Sequence, residues 1–368
     1  MATGKITGRI ETGQYIRLLW CAFYCCSLLF AACSKDSVIE DIKTGTPIRF
    51  AGSVSTKASI TTLASLDKIG VFGYYTGTER WEWSAANIPG NLKPDYFLNE
   101  PVEKSGSTWG YDADYPRYWP SDARNKVSFF AYAPYDGTGP EDISSVGLYP
   151  AVIAETGTPK LTYTVPADVT GQIDLLQGAC LDRDKNDNGG TVLFNMNHAL
   201  TKISFSAMLG TSLSGSNNTI EIKEITIDGV YNAGALDLAT GKWTLNATTD
   251  NFTLGTGHLK NALFDSKVAS DYDSRLVIED DCYLMMMPQQ MTKNSILSVT
   301  FEINTVNTSS ATRTEGLLMH FPLLDANIKS TWEPGKSIEY NFTLKHGVVD
   351  FDIYVLPWED EVLPSILH

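Results

Sequence analysis

The sequence predicts an all-β protein: two tandem β-sandwich domains following an export leader. Three observations predict it. Short runs of alternating apolar residues recur along most of the chain, separated by Gly, Pro, Asn and Asp clusters. Beyond the leader no long segment carries a convincing helical period, and only short helical connectors are expected. Past residue 32, the 368-residue chain is too long for one typical core and suits two.

Residues 1–32 read as a signal peptide. Lys5, Arg9 and Arg17 outnumber Glu11, and Leu18 to Ala32 then runs uncharged. That run is shorter than the ~20 apolar residues a membrane span needs. Phe30-Ala31-Ala32-Cys33 puts small residues ahead of a cysteine, as a lipoprotein signal peptidase requires. Cys33 is therefore the expected lipidation site, and the membrane is touched only through that lipid. An ordinary secretory signal cut nearby is the plainer alternative. Residues 33–46 are polar and aperiodic, as a tether would be. The leader takes its three cations and one anion with it, so the chain's net charge moves from −15 to −17. Such acidity repels nucleic acid and anionic lipid. Of six cysteines only Cys180 and Cys282 remain after residue 33, either bonded in an oxidising compartment or acting as small core hydrophobes.

The first domain spans 47–189. Its expected strands include Pro47 to Val54, Leu66 to Tyr75, Val127 to Tyr132 and Leu161 to Val165. Asp182 to Gly190 has no apolar residue and marks the boundary. Asp182, Asp184, Asn186 and Asn188 resemble a calcium loop only faintly, because Asp187 stands where an EF-hand needs Gly. The second domain spans 190–347, with strands over Leu200 to Met208, Thr219 to Ile227, Tyr283 to Met287, Ile296 to Ile303 and Ser337 to Leu344. Residues 348–368 form an extension. Within it Val349, Phe351, Ile353 and Val355 fall on one face of a period-2 strand, followed by Trp358. A strand this regular at a terminus needs a partner.

The sequence offers little to an enzyme. His198, His258, His320, His346 and His368 have no metal-ligand spacing, and no nucleophile elbow or phosphate loop occurs. Glu279-Asp280-Asp281 and the Asp112/Asp114 pair are loose glycosidase-like acids that read as solvated loops. No catalytic residue, cofactor or metal is expected. Tyr74, Tyr75, Trp81, Trp83, Trp109, Tyr111, Tyr115, Tyr118 and Trp119 crowd the first domain. They fill a core or form a glycan platform, with Trp81-Glu82-Trp83 the segment first expected at the surface.

Several of these segments, in their order and spacing, resemble the fimbrillins, the subunits of the type V pili of Bacteroidetes. They are Tyr118-Trp119-Pro120 with Phe129 to Pro134, Asp174-Leu175-Leu176, His198 to Phe205, Met287-Pro288-Gln289, and Trp332 to Ser337 with Tyr340. The resemblance implies transthyretin-like, Greek-key sandwiches and a lipoprotein precursor carried to the outer membrane surface. It implies a trypsin-like protease that removes the first strand, with Arg49 and Lys57 as candidate cleavage points. A neighbouring subunit's C-terminal strand, here Val349 to Val355 with Trp358, then fills the groove by β-augmentation. The implied location is the cell surface in a fimbrium, and the implied partners are like or related subunits. A C-terminal extension implies a shaft rather than a tip position. The alternative is a surface lipoprotein adhesin that binds glycan or protein and never polymerises.

Overall fold

A computed structural model describes residues 45–54, 67–106, 108–135, 148–150, 157–280, 282–306, 312–325, 330–345 and 348–357. The leader, Cys33, the 33–44 tether, Lys57 and Trp358 lie outside the described residues, as do Asp281, His346 and His368. In chain order the first strands are β1 (Arg49–Val54), β2 (Lys68–Gly77), β3 (Phe97–Ser105), β4 (Thr108–Gly110), β5 (Lys126–Ala133), β6 (Leu148–Pro150), β7 (Lys160–Thr164), β8 (Leu176–Arg183) and β9 (Thr191–His198). Helix α1 (Trp81–Asn87) is the one α-helix among the described residues. There follow β10 (Thr201–Leu209), β11 (Asn218–Tyr231), β12 (Ala233–Asp237), β13 (Lys242–Leu245), β14 (Thr249–Leu254), β15 (Leu263–Asp265), β16 (Arg275–Leu276) and β17 (Leu284–Met286). The last are β18 (Gln289–Gln290), β19 (Ile296–Val306), β20 (Thr312–Pro322), β21 (Thr331–Trp332), β22 (Lys336–Lys345) and β23 (Val348–Pro357).

Seven strands close into a barrel in the order β1-β4-β3-β2-β5-β8-β9, with β9 returning to β1. Its interior holds Phe50, Val71, Phe97, Phe129, Val192 and Phe194, among others. Closure leaves this sheet no free edge. The expected boundary at 189/190 falls inside the barrel, because β9 is a barrel strand. Its Val192, Phe194 and Met196 point inward in strict alternation. The Gly189-Gly190 pair, both at positive φ, turns the chain within the barrel and does not separate domains.

The later strands build two facing sheets. One runs β16-β10-β22-β23 with β17 also on β10, and the other runs β14-β11-β19-β20 with β15 also on β11. Aliphatic and aromatic side chains from both inner faces, such as Ile203, Phe205, Ile222, Phe301 and Phe342, make the second core.

The two halves share structure. β7 from the first half pairs with β12 from the second in a sheet ordered β13-β12-β7-β6. β5 is buried on both faces. Phe129 and Ala131 point into the barrel, while Phe130 and Tyr132 belong to the core that continues into the sandwich. At the junction His198 Nδ1 lies 2.7 Å from Asp174 Oδ1, both side chains almost fully buried. Trp243 Nε1–H donates to Ala199 O at 2.8 Å, and Met285 N–H donates to Gln172 Oε1 at 2.6 Å. The described residues from Pro47 onward accordingly form one compact unit.

Candidate functional site

β1 is the N-terminal strand of the described fold, and the barrel depends on it. On one side it runs parallel to β9 over six residues, from Arg49 opposite Thr191 to Val54 opposite Met196. On the other side it meets β4 at a single antiparallel position, Phe50 opposite Trp109. Ile48 N–H donates to Arg117 O at 2.9 Å and anchors the approach to the strand. Nearly all of β1's ladder therefore lies with β9, a strand far away in sequence.

The alternation Ile48-Arg49-Phe50 decides which way the strand faces. Ile48 and Phe50 are buried and Arg49 is exposed. Phe50 is 5% exposed and sits among four rings. Phe97 and Tyr111 approach edge-on at 5.3 and 5.8 Å, Phe129 does so at 6.0 Å, and Phe194 stacks at 6.0 Å. Each such pair contributes about 0.5–1.5 kcal/mol beyond burial. Tyr111 ties the strand's entry to the barrel wall. Its Oη accepts from Arg117 N–H at 2.9 Å and lies 3.2 Å from both Ile48 O and Arg117 O. Burial raises the Tyr111 phenol above its ordinary pKa, so it stays protonated and able to donate. Without β1 the slot between β4 and β9 would be lined by Phe97, Tyr111, Phe129, Val192 and Phe194.

The C-terminal strand is placed differently. β23 pairs antiparallel with β22 over ten residues, from Lys336 opposite Pro357 to Lys345 opposite Val348, and its other side pairs with no strand among the described residues. It is an edge strand and not an inner strand of its sheet. Its apolar face is buried in a gradient. Val349 is 4% exposed, Phe351 and Ile353 are half-buried, and Val355 is 37% exposed. Phe351 stacks on Phe321 at 4.9 Å and lies near Tyr340 and Phe342 at 5.5 and 6.0 Å. Lys345 pairs with Asp350 at the start of the strand.

The aromatic residues of the first half divide. Tyr74, Trp81 and Trp119 are buried, Trp109, Tyr111 and Tyr118 are half-buried, and Tyr75, Trp83 and Tyr115 are exposed. The Trp81-Glu82-Trp83 expectation holds for Trp83, at 47% exposure, and fails for Trp81. The segment is the first turn of α1, which turns Trp81 inward, 4.6 Å from the Phe130 ring. Trp81 N–H donates to Asp182 Oδ1 at 2.7 Å. The loop that faintly suggested calcium thus uses Asp182 on α1 and Asp184 on Lys126, at 2.7 Å. Asp112 accepts its own turn's Asp114 N–H, and Asp280 pairs with Lys260. Cys180 and Cys282 are buried thiols in separate cores, so no disulfide joins them. Cys180 Sγ–H donates to Leu193 O at 2.8 Å, and burial pushes its thiol up to about 11.

Fold and site together define a strand-closed barrel joined to a sandwich with an open edge. The chain belongs to the fimbrillin-like family, whose model matches residues 56–358. It is 30% identical over 188 residues to the fimbrium subunit Fim1C of Phocaeicola vulgatus. That match covers 48% of this chain and 48% of the relative, so it spans about half the relative's length. The crystal structure of a fimbrial protein from Bacteroides vulgatus superposes with a TM-score of 0.70 at 21% identity, over 85% of this chain and 99% of that one. At that identity the likeness shows the fold.

Proposed function

We propose that this chain is a structural subunit of a cell-surface fimbrium that polymerises by strand exchange and supports adhesion. The observation that carries the proposal is β1. One short strand at the N-terminal end closes the barrel, and its removal would uncover a continuous aromatic slot. The C-terminal strand repeats its pattern: Ile48-x-Phe50 leading into β1, Val349-x-Phe351 in β23. A neighbour's Val349, Phe351, Ile353 and Val355 have the spacing to occupy the slot, with Phe351 in the place of Phe50. The fimbrium subunit and fimbrial protein to which the chain is similar support the same reading.

The geometry bears on the cleavage point. A cut after Arg49 would leave Phe50 as the first residue, still beside the slot it fills. A cut after Lys57 would release all of β1, so Lys57 is the productive site of the two. The lipid on Cys33 then acts as a delivery anchor that leaves with β1. Donation also requires β23 to leave β22, giving up its ladder and the contacts of Phe351. Four apolar side chains buried in a neighbour's barrel contribute about 6–12 kcal/mol before ordering costs, against which stands the burial that Val349, Phe351 and Ile353 already have in their own sheet.

The exposed Tyr75, stacked on Tyr96 at 6.1 Å, together with Trp83 and Tyr115, favours the alternative of a non-polymerising adhesin that binds glycan. One experiment separates the readings. Limited trypsin treatment of the full chain should remove the segment ending at Lys57, and filaments should follow in electron microscopy. Deleting residues 348–368 should abolish filaments while leaving a single cooperative urea transition. A trimmed chain that stays monomeric, or filaments from the deletion variant, would overturn strand exchange.

A further inference from the structure

Outside the barrel, every open sheet must end in edge strands, and most edges among the described residues are short. β6 and β13 have three and four residues, β15 and β17 three each, β16 two and β14 six. Two edges are long: β20 with eleven residues and β23 with ten. Folded proteins usually blunt such edges with lysine, proline, bulges or net charge. β23 carries Asp350 and Asp352, so pairing it with its own copy would oppose like charges.

β20 has little of this protection. Its ladder to β19 runs unbroken from Ile296 opposite Pro322 to Val306 opposite Thr312. Its one proline is its last residue, and it has no lysine. Its two charges, Arg313 and Glu315, cancel and lie 3.6 Å apart. The edge is therefore neutral within a chain of net charge −15. Leu318, near its middle, is 55% exposed, and a Cβ added at the nearby Gly316 would meet nothing within 4 Å.

We infer that β20 is a homotypic pairing edge, which joins a second copy of this chain in an antiparallel, two-fold ladder centred on Leu317. The centre follows from self-complementarity. With Leu317 opposite Leu317 all eleven residues overlap. Leu318 then lies opposite the second copy's Gly316, filling the open space there, and Gly316 receives Leu318 in return. On the other face the register sets Phe321 opposite Arg313 and Met319 opposite Glu315, so each copy's Arg313/Glu315 pair lies beside the other's half-buried apolar residues. The second copy is the favoured occupant because the strand complements itself in this register, Leu318 against Gly316, and carries no net charge to repel its twin. The sheet β14-β11-β19-β20 would continue across the axis into the same four strands in reverse order. One strand per copy makes a small interface, of the size class of weak, transient contacts. Along a fimbrium, if the proposed function holds, many such contacts would act together and join filaments side by side.

The test uses the unprocessed full chain, so it does not depend on strand exchange. Sedimentation equilibrium at tens to hundreds of micromolar should show an average mass that rises with concentration toward the dimer. Leu318→Lys should weaken that association at least tenfold while leaving the urea midpoint unchanged, because Leu318 is exposed. The double variant Gly316→Glu/Leu318→Lys should restore association, since each introduced lysine then faces the introduced glutamate of the other copy. A constant monomer mass for the unmutated chain would overturn the inference. So would an association indifferent to L318K, failure of the double variant to recover, or an association lost on deleting residues 358–368.

Discussion

β1 and β23 open on the same signature, Ile48-x-Phe50 leading into the one and Val349-x-Phe351 in the other, yet the fold treats them oppositely. β1 lies between two strands and places Phe50 among four rings inside a closed barrel. β23 lies on one strand with its other edge free, and burial falls away along it from Val349 to Val355. A barrel has no tolerance for a missing strand, because its two neighbours then become edges over an uncovered core. A sandwich tolerates the loss of an outer strand, because the next one becomes the edge. Under the proposed function, β1 is the strand whose removal opens a closed sheet, and β23 is the strand that can leave an open one.

Truncation at equivalent positions breaks or confirms this asymmetry. Phe50→Ala should cost about 3–5 kcal/mol, the range for a buried aromatic, and hydrogen exchange should rise first in the amides of β4 and β9. Phe351→Ala should cost about 1–2 kcal/mol, because its ring is only half-buried to begin with, with faster exchange confined to β22 and β23. Urea denaturation of both variants measures the difference. Equal costs would mean that β23 is as integral to the sandwich as β1 is to the barrel.

A third measurement probes the barrel interior through Cys180, whose thiol burial holds at about 11. A group with a raised folded-state pKa favours the folded form at low pH. Its contribution is complete below the thiol's ordinary pKa of about 9 and is lost as pH climbs toward 11. The urea midpoint should therefore fall over pH 9–11, and by less in Cys180→Ala. The same thiol should resist alkylation at pH 8 in the intact chain and react once Phe50 is truncated. Reaction at equal rates in both would mean that the barrel breathes whether or not β1 is properly seated.

Much of this contrast was legible in residues, and the rest was not for identifiable reasons. The central strands β2, β5 and β22 announce themselves because both faces or one whole face are apolar. The alternation of β23 is equally plain. β9 carries a clear pattern in Val192, Phe194 and Met196, but the Gly189-Gly190 turn before it reads the same for a turn inside a sheet as for a domain boundary. α1 has seven residues, too few to show a helical period, so Trp81 and Trp83 look alike although one is core and one is surface. β20 is polar or exposed on its outer face and half-buried on its inner one, and period-2 reading has little to grip there. The parallel pairing of β1 with β9, which closes the barrel, joins segments too far apart in sequence for any local pattern to encode.

The smallest expected effect lies at the far end of β23, where Tyr354 and Leu356 face solvent and Val355 is more exposed than Val349, Phe351 or Ile353 on the same face. Val355→Lys should change stability by no more than about 0.5 kcal/mol, as substitutions at such sites usually do. In the trimmed protein the same substitution should be costly, because a donated strand would carry that lysine into a neighbour's apolar slot. Comparing the urea midpoint of the full chain with filament yield after trypsin separates the two. An unchanged midpoint with few filaments would place Val355 in the exchanged strand. A lowered midpoint would show that β23 needs Val355 for its place on β22, and normal filaments would take Val355 out of the donor register.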